Sequence, residues 1–431
     1  MTIARHVKSG LKPIAREAST FGRSAVGLTA IGLAISGSAW AEPGSLYVGA
    51  SEAVSHETNV LRARSGLPSA NDWVSTTSLL AGAHPRLGQQ QFGLDVVARA
   101  SRYRDNGQLD HTGGDARLGL DWQAPNALSG RIGYSGHRGL TQFGTATVPV
   151  LTSKNLATSQ EAVASVLLGV PGSPFELESA LTLRRLDDSA PEFDFQDVRQ
   201  HGLSVGGRYR PSAALTVGLG ARHTLGNYPH ATLVAPSTVS SDDFRRNDID
   251  LTALWVPTGL SRLQARLSQT RETHDQVPTR NVSGLTALLH WDYQVTPKVK
   301  LATEAARDTG TETAFLRITS GADALASSGT GLSNSLSLAA TYQASAKTQF
   351  VAHVRSVRRS LQSAVVGPGG VVSSPAGSDR STEYGLGVSV EPARPWLIGC
   401  SVSREQRVAS SSVSFPYRAG SAGCSVQYKT L

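Results

Sequence analysis

Much of the chain is written in short runs in which apolar and polar residues alternate. Phe175-Glu-Leu-Glu-Ser-Ala-Leu-Thr-Leu183, Leu215-Thr-Val-Gly-Leu-Gly-Ala-Arg222 and Tyr384-Gly-Leu-Gly-Val-Ser-Val390 put apolar or aromatic side chains at nearly every second position. A period of two places those side chains on one face of a strand and the small or polar ones on the other. The segment Trp396–Leu431 holds two such runs. Folded as a hairpin with Cys400 opposite Cys424, it sets Val402 against Ala422, Ile398 against Val426 and Trp396 against Tyr428. The positions between them, such as Gly399, Ser401, Ser403, Ser425 and Gln427, are small or polar. One face suits hydrocarbon and the other water, which is the alternation of a transmembrane barrel strand.

Proline punctuates this alternation. Short turns are expected at Pro85, Pro125, Pro171 to Pro174, Pro211, Pro257, Pro297, Ala344 to Lys347 and Pro392 to Pro395, most of them carrying the proline that a tight turn tolerates and a central strand does not. Eight turns joining nine hairpins predict an all-β fold, a transmembrane antiparallel up-and-down β-barrel of about 18 strands. Longer connections are expected at Ser55–Asp72, Arg138–Leu156, Gly226–Asp243, Asp308–Gly331 and Arg359–Arg380. A propeller would need four short strands per repeat and more frequent turns. No run approaches the 18 apolar residues of a membrane helix.

Aromatic residues flank the short turns. Trp122, Tyr209, Trp255, Trp291, Tyr293 and Tyr342 lie shortly before a turn, and Phe92, Phe175, Phe350 and Trp396 shortly after one. Parity puts these outward, and with Tyr428 they are expected to form a girdle at the headgroups. Inward parity collects the charges: Asp95, Arg99, Arg117, Asp121, Arg131, Glu176, Glu178, Arg184, Arg208, Arg222, Asp248, Asp250, Arg266, His290, Asp292, Lys300, Glu304, Arg355 and Glu383 are candidate pore-lining residues. A barrel of this size holds water, so such side chains need no dry partner. They are either a wetted wall of cross-strand ion pairs or a polar conduit of weak selectivity.

The N-terminus changes the reading of charge. Arg5, Lys8, Lys12, Arg16 and Arg23 precede the apolar run from Ser24 and the site Ala39-Trp40-Ala41, the layout of a secretory signal peptide. Residues 1–41 are thus a leader and 42–431 the barrel. Removing its five basic residues and one Glu from totals of 41 and 33 lowers the net charge from +8 to +4, which undercuts a nucleic-acid partner. Export also permits a disulfide between Cys400 and Cys424, the only cysteines, although two separate thiols stay open as the alternative. Gly202-Leu-Ser-Val-Gly206 matches a nucleophile elbow by letter but sits within a strand-like run. No metal, phosphate or cofactor spacing occurs, so neither an enzyme nor a cofactor is expected.

The segments Glu57-Thr-Asn-Val-Leu-Arg62, Trp73-Val-Ser-Thr-Thr-Ser-Leu-Leu-Ala-Gly82, Arg102-Tyr-Arg-Asp-Asn-Gly-Gln-Leu-Asp-His111 and Leu118-Gly-Leu-Asp-Trp-Gln-Ala-Pro-Asn-Ala-Leu-Ser-Gly130 resemble the EpsL family. That resemblance implies an outer-membrane barrel of exopolysaccharide biosynthesis and export, with the polysaccharide and periplasmic export components as partners and no catalytic residues. Gly423, Val426 and Tyr428 resemble the signal read by the barrel assembly machinery, although such chains usually end on an aromatic and this one ends on Leu431. The expected location is the bacterial outer membrane, in contact with its lipid. A general diffusion or small-solute porin, and a plugged barrel that anchors partners, are the alternatives.

Overall fold

The computed structural model describes residues 46–430 except 126, 142–153, 170–172, 235–237, 310–330, 363–364, 367–371, 374–375 and 410–413; the expected leader and Leu431 lie outside the described residues. Long strands follow one another from the start: β1 (Leu46–Thr58), β2 (Asp72–Ala83), β3 (Gln90–Tyr103), β4 (His111–Gln123), β5 (Leu128–Leu140) and β6 (Leu156–Gly169). Next come β7 (Phe175–Asp188), β8 (Val198–Ser212), β9 (Leu215–Val234), β10 (Thr238–Thr258), β11 (Ser261–His274) and β12 (Val282–Thr296). The last are β13 (Val299–Thr309), β14 (Leu332–Gln343), β15 (Thr348–Gln362), β16 (Ala376–Ala393), β17 (Trp396–Ala409) and β18 (Tyr417–Lys429).

These eighteen, with a two-residue stub at Arg86–Leu87, make up one nineteen-stranded sheet. Every long strand runs antiparallel to its neighbour in sequence, and β1 pairs with β18, from Gly49 opposite Lys429 to Thr58 opposite Gly420. The sheet is therefore a closed up-and-down barrel without a free edge. Among the described residues the only helices are three short 3-10 turns, and no helix is long and apolar enough to cross a membrane.

The prolines expected at short turns mark one end of the barrel. Ser212 leads to Leu215, Thr258 to Ser261, Thr296 to Val299 and Ala393 to Trp396 across two residues each. The other end differs from expectation. Instead of a loop over Gly226–Asp243, β9 and β10 continue as a paired ribbon in which Gly226 lies opposite Phe244 and Tyr228 opposite Asp242. Likewise β1 runs on to Thr58, β15 to Gln362, and β16 starts at Ala376, so the expected loops Ser55–Asp72 and Arg359–Arg380 are shorter than read. Asp308 and Thr309 close β13, while 310–330 lie outside the described residues. Above the bilayer the outward face needs no apolar side chains, so hydropathy stops alternating although pairing continues.

Parity is strict where it can be followed. In Asp242-Asp-Phe-Arg-Arg-Asn-Asp248 of β10 the even positions are buried and the odd ones exposed. Further down, the exposed face becomes apolar: Ile249, Leu251 and Trp255 are each about half exposed. An exposed apolar face over the whole ring has a physical meaning only against hydrocarbon. All eight expected girdle aromatics, Trp122, Tyr209, Trp255, Trp291, Tyr293, Tyr342, Trp396 and Tyr428, share that outward parity. The Trp122 indole lies beside Gly130, where an added Cβ would meet it at 2.5 Å. Glycine there leaves its neighbour's ring room to cover the bare backbone. Glu52 is an outward acid inside this belt, and its oxygens accept from Ser75 Oγ at 2.5 Å and Thr77 Oγ1 at 2.6 Å.

The last hairpin pairs Trp396 with Tyr428, Ile398 with Val426 and Cys400 with Cys424. Both cysteines face outward, their Cα atoms are 4.0 Å apart, and a disulfide joins them. Gly423 faces inward, while Val426 and Tyr428 face outward beside them. Labelling the denatured, unreduced protein with a thiol reagent is expected to modify no cysteine, and two after reduction; two reactive thiols before reduction would show that no bridge forms.

Candidate functional site: the barrel lumen

The inward face of the same strands is charged, and its register decides which charges meet. All nineteen candidate residues, from Asp95 to Glu383, have inward parity. From the short turns to mid-height most are partly exposed, Arg208 and His290 being buried. Tyr47 donates to Asp95 Oδ1 at 2.6 Å, and His84 Nε2 sits 3.2 Å from its other oxygen. Asp115 pairs with Arg99 and lies 2.7 Å from His137. Arg131 reaches Asp121 at 3.6 Å, Arg184 reaches Glu161 at 3.0 Å, and Arg208 pairs with Glu178. Glu176 pairs with Arg210, which the candidate set lacked.

On the opposite stretch of wall, Asp292 lies 3.0 Å from both His290 and Lys300, and His290 is 3.9 Å from Glu304. His353 is 3.6 Å from Glu383, and Arg355 stands opposite Glu383 in the ladder. Arg117 is exposed, with no carboxylate partner among the described residues. Signs alternate because cross-strand neighbours of opposite charge attract and like ones repel. Pairs as wet as Lys300 and Asp292 contribute about 0–1 kcal/mol each.

Towards the long loops the wall becomes dense. Arg246 is 1% exposed; its Nε donates to Asp248 Oδ2 at 2.9 Å, its Nη1 to Thr309 at 2.9 Å, and its Nη2 lies 2.9 Å from Asp308. Thr270 donates to Asp248 at 2.5 Å, and Arg266 approaches Asp308 at 3.7 Å. Arg222 lies 3.2 Å from Asp248 and 3.5 Å from Asp250, within ion-pair range but off hydrogen-bonding angles. A second buried group joins Arg359 to Asp379 at 2.5 Å, with Arg407 at 3.8 Å and Ser414 donating at 2.8 Å. Arg246, Glu272, Asp308, Arg359, Asp379 and Arg407 were absent from the candidate set. Parity alone could have found Arg246, which shares the even register of Asp248 and Asp250.

The rim above this layer carries two perturbed groups. Burial opposes a charge on His274, yet its bonds to Asp242 at 2.7 Å and Glu272 at 3.1 Å outweigh it and raise its pKa. Asp188, at the end of β7, is pushed up to about 7, first by burial and then by Asp197, Asp194 and Asp187, despite a hydrogen bond from Asn155. Gly202-Leu-Ser-Val-Gly206 lies within β8 and is paired on both sides, so no strand–turn–helix elbow forms there.

A closed ring of about this size, apolar outside and charged inside, defines a transmembrane β-barrel of the porin type, the architecture of the bacterial outer membrane. No family model matches the chain, and no curated protein does. Among solved structures it is similar to OccK2 (OpdF) of Pseudomonas aeruginosa, at TM-score 0.48 and 12% identity over 90% of this chain and 98% of that one. OccK2 in complex with glucuronate gives 0.47 and 12% over 90% and 99%. OccAB3 of Acinetobacter baumannii gives 0.44 and 11% over 89% and 98%. With no family model and no curated protein matching, the resemblance to the EpsL family has no support from these comparisons.

Arg246→Ala would leave Asp248 and Asp308 buried without that cation, at a cost of about 3–5 kcal/mol, read as a lower urea midpoint for loss of the heat-resistant band. A midpoint equal to that of the parent would show the cluster to be solvated. A buried acid with a raised pKa favours the fold only while protonated: Asp188's contribution is complete below its ordinary range near 4 and is lost as pH rises through about 7. Amide-exchange protection around 188–198 should therefore fall from pH 5 to pH 8 beyond the intrinsic rate change. In Asp188→Asn that fall should vanish; a fall of equal size in both proteins would place the titration elsewhere.

Proposed function

We propose that this protein is an outer-membrane channel of the porin type for small polar solutes. The observation that carries this reading is the change along the lumen wall. In the short-turn half Arg117, Asp121, Arg131 and Lys300 stand partly or fully exposed, while in the long-loop half Arg246, Asp248, Glu272 and Asp308 are under about 5% exposed. A wet vestibule thus leads to a dense charged layer, which suits a filter for small solutes better than a bore for a polymer. A polysaccharide in transit touches many positions at once and needs a wide, continuous, weakly binding wall. The export role implied by the EpsL resemblance is therefore set second.

In this reading the inward charges line the path and the mixed signs keep ionic selectivity weak. Arg117 is the residue best placed to meet a solute, since it is exposed on the inward face and has no carboxylate partner among the described residues. Insertion by the barrel assembly machinery through Gly423, Val426 and Tyr428 belongs to the same proposal.

In planar bilayers the purified protein should give discrete conductance, and proteoliposomes should swell in monosaccharides and amino acids but not in long oligosaccharides. Arg117→Glu with Arg131→Glu should shift ion selectivity towards cations. Loss of secreted polymer on gene deletion, with small-solute uptake unchanged, would replace this reading by export.

A further inference from the structure

The outward face carries a second feature that a solute path does not use. Following the outward parity of each strand from its aromatic end towards the long loops, the apolar belt ends again and again in arginine. Arg102 lies ten residues beyond Phe92, Arg199 ten from Tyr209, Arg245 ten from Trp255, Arg418 ten from Tyr428, Arg358 eight from Phe350 and Arg404 eight from Trp396. At about 3.3 Å per residue and about 40° of tilt, eight to ten residues rise about 20–25 Å. That is the height of the apolar band, so these guanidinium groups sit at the headgroups of the leaflet on the long-loop side.

Their neighbours are the second observation. Arg358 lies directly opposite Arg380 in the β15–β16 ladder, and Arg185 opposite Arg199 in β7–β8. Like charges directly opposed on one face repel. Arg185 has Asp187 at 2.5 Å, and Arg102 and Arg245 have Asp110 at 3.1 Å and Asp275 at 3.5 Å. Arg138, Arg199, Arg358, Arg380, Arg404 and Arg418 have no carboxylate partner among the described residues, and all six are exposed. Inside the barrel most arginines meet acids; at this rim Arg358 and Arg380 face each other with no acid beside them among the described residues.

We infer that this rim binds phosphate groups on the headgroups of lipids in the long-loop leaflet, with the Arg358–Arg380 pair as a clamp for one phosphate. Guanidinium suits the task because its fork donates two parallel hydrogen bonds to phosphate oxygens. The occupant is lipid rather than a soluble anion because the rim adjoins the apolar belt directly, so a bound phosphate has acyl chains beneath it. The inference is independent of what passes through the lumen.

The test uses the full-length barrel in neutral detergent, with native mass spectrometry of bound lipid. A bis-phosphorylated glucosamine-disaccharide glycolipid, its dephosphorylated form and phosphatidylethanolamine are the probes. The parent protein should retain the bis-phosphorylated lipid at least about tenfold over the dephosphorylated one, with retention falling as salt rises. Arg358→Gln with Arg380→Gln should lose at least one bound copy, and adding Arg138→Gln, Arg199→Gln, Arg404→Gln and Arg418→Gln should lose most of the rest. The heat-resistant band shows that each variant is folded. Equal retention of phosphorylated and dephosphorylated lipid by the parent, or unchanged retention by a folded sextuple variant, overturns the proposal. Should the sextuple variant not fold, the parent's preference and the double variant decide alone.

Discussion

A peptide group inside a bilayer has no water to turn to, and this constraint shapes the whole molecule. Each unpaired amide in hydrocarbon costs several kcal/mol, so strands can cross only if the sheet closes on itself. Closure here depends on the seam between the first and last strands, where Gly49 to Thr58 pair with Lys429 to Gly420. Thr430 extends that seam: its N–H donates to the Val48 carbonyl at 2.8 Å, and Val48 N–H donates to its Oγ1 at 3.1 Å. One hairpin step away, the Cys400–Cys424 disulfide ties β17 to β18. The chain is thus crosslinked beside the joint on which every other strand's environment depends.

Once the ring is closed, a period of two sorts residues between two solvents. The same alternation that turns Leu219, Leu251 and Leu386 towards lipid turns Arg222, Asp250 and Glu383 inward. Inside, the wall is concave and brings charges of neighbouring strands close together, so acids and bases must interleave. The dense cluster around Arg246 draws Asp248, Glu272, Asp308 and Thr309 from β10, β11 and β13. A buried network of this kind is costly unless complete, and it fixes how these strands sit against one another.

What was legible in the sequence follows from the same physics. Within the bilayer, hydropathy must alternate, so the register of the last hairpin, the short turns and the inward set from Asp95 to Glu383 could be read directly. Above the bilayer that requirement disappears. In Asp242-Asp-Phe-Arg-Arg-Asn-Asp248 both faces are polar, and a paired ribbon reads as a loop. For the same reason Arg359, Asp379 and Arg407 escaped notice, although their burial equals that of a core. The cargo was not legible either, because a wetted charged wall has no residue pattern as specific as a catalytic spacing, and a likeness over barrel strands carries little beyond the barrel.

Arg245 and Arg246 show how far one position can change a residue's chemistry. They are adjacent, identical and on the same strand, yet Arg246 is 1% exposed among three carboxylates while Arg245 faces out, 62% exposed along its side chain. The inner arginine has its counter-charges supplied by β10, β11 and β13, which the fold holds in register. The outer one has only Asp275 at 3.5 Å, and several of its counterparts around the rim have no acid at all among the described residues. A protein that places carboxylates beside most arginines of one face, and on the other leaves the opposed Arg358 and Arg380 without them among the described residues, is shaped for an anion that comes from its surroundings.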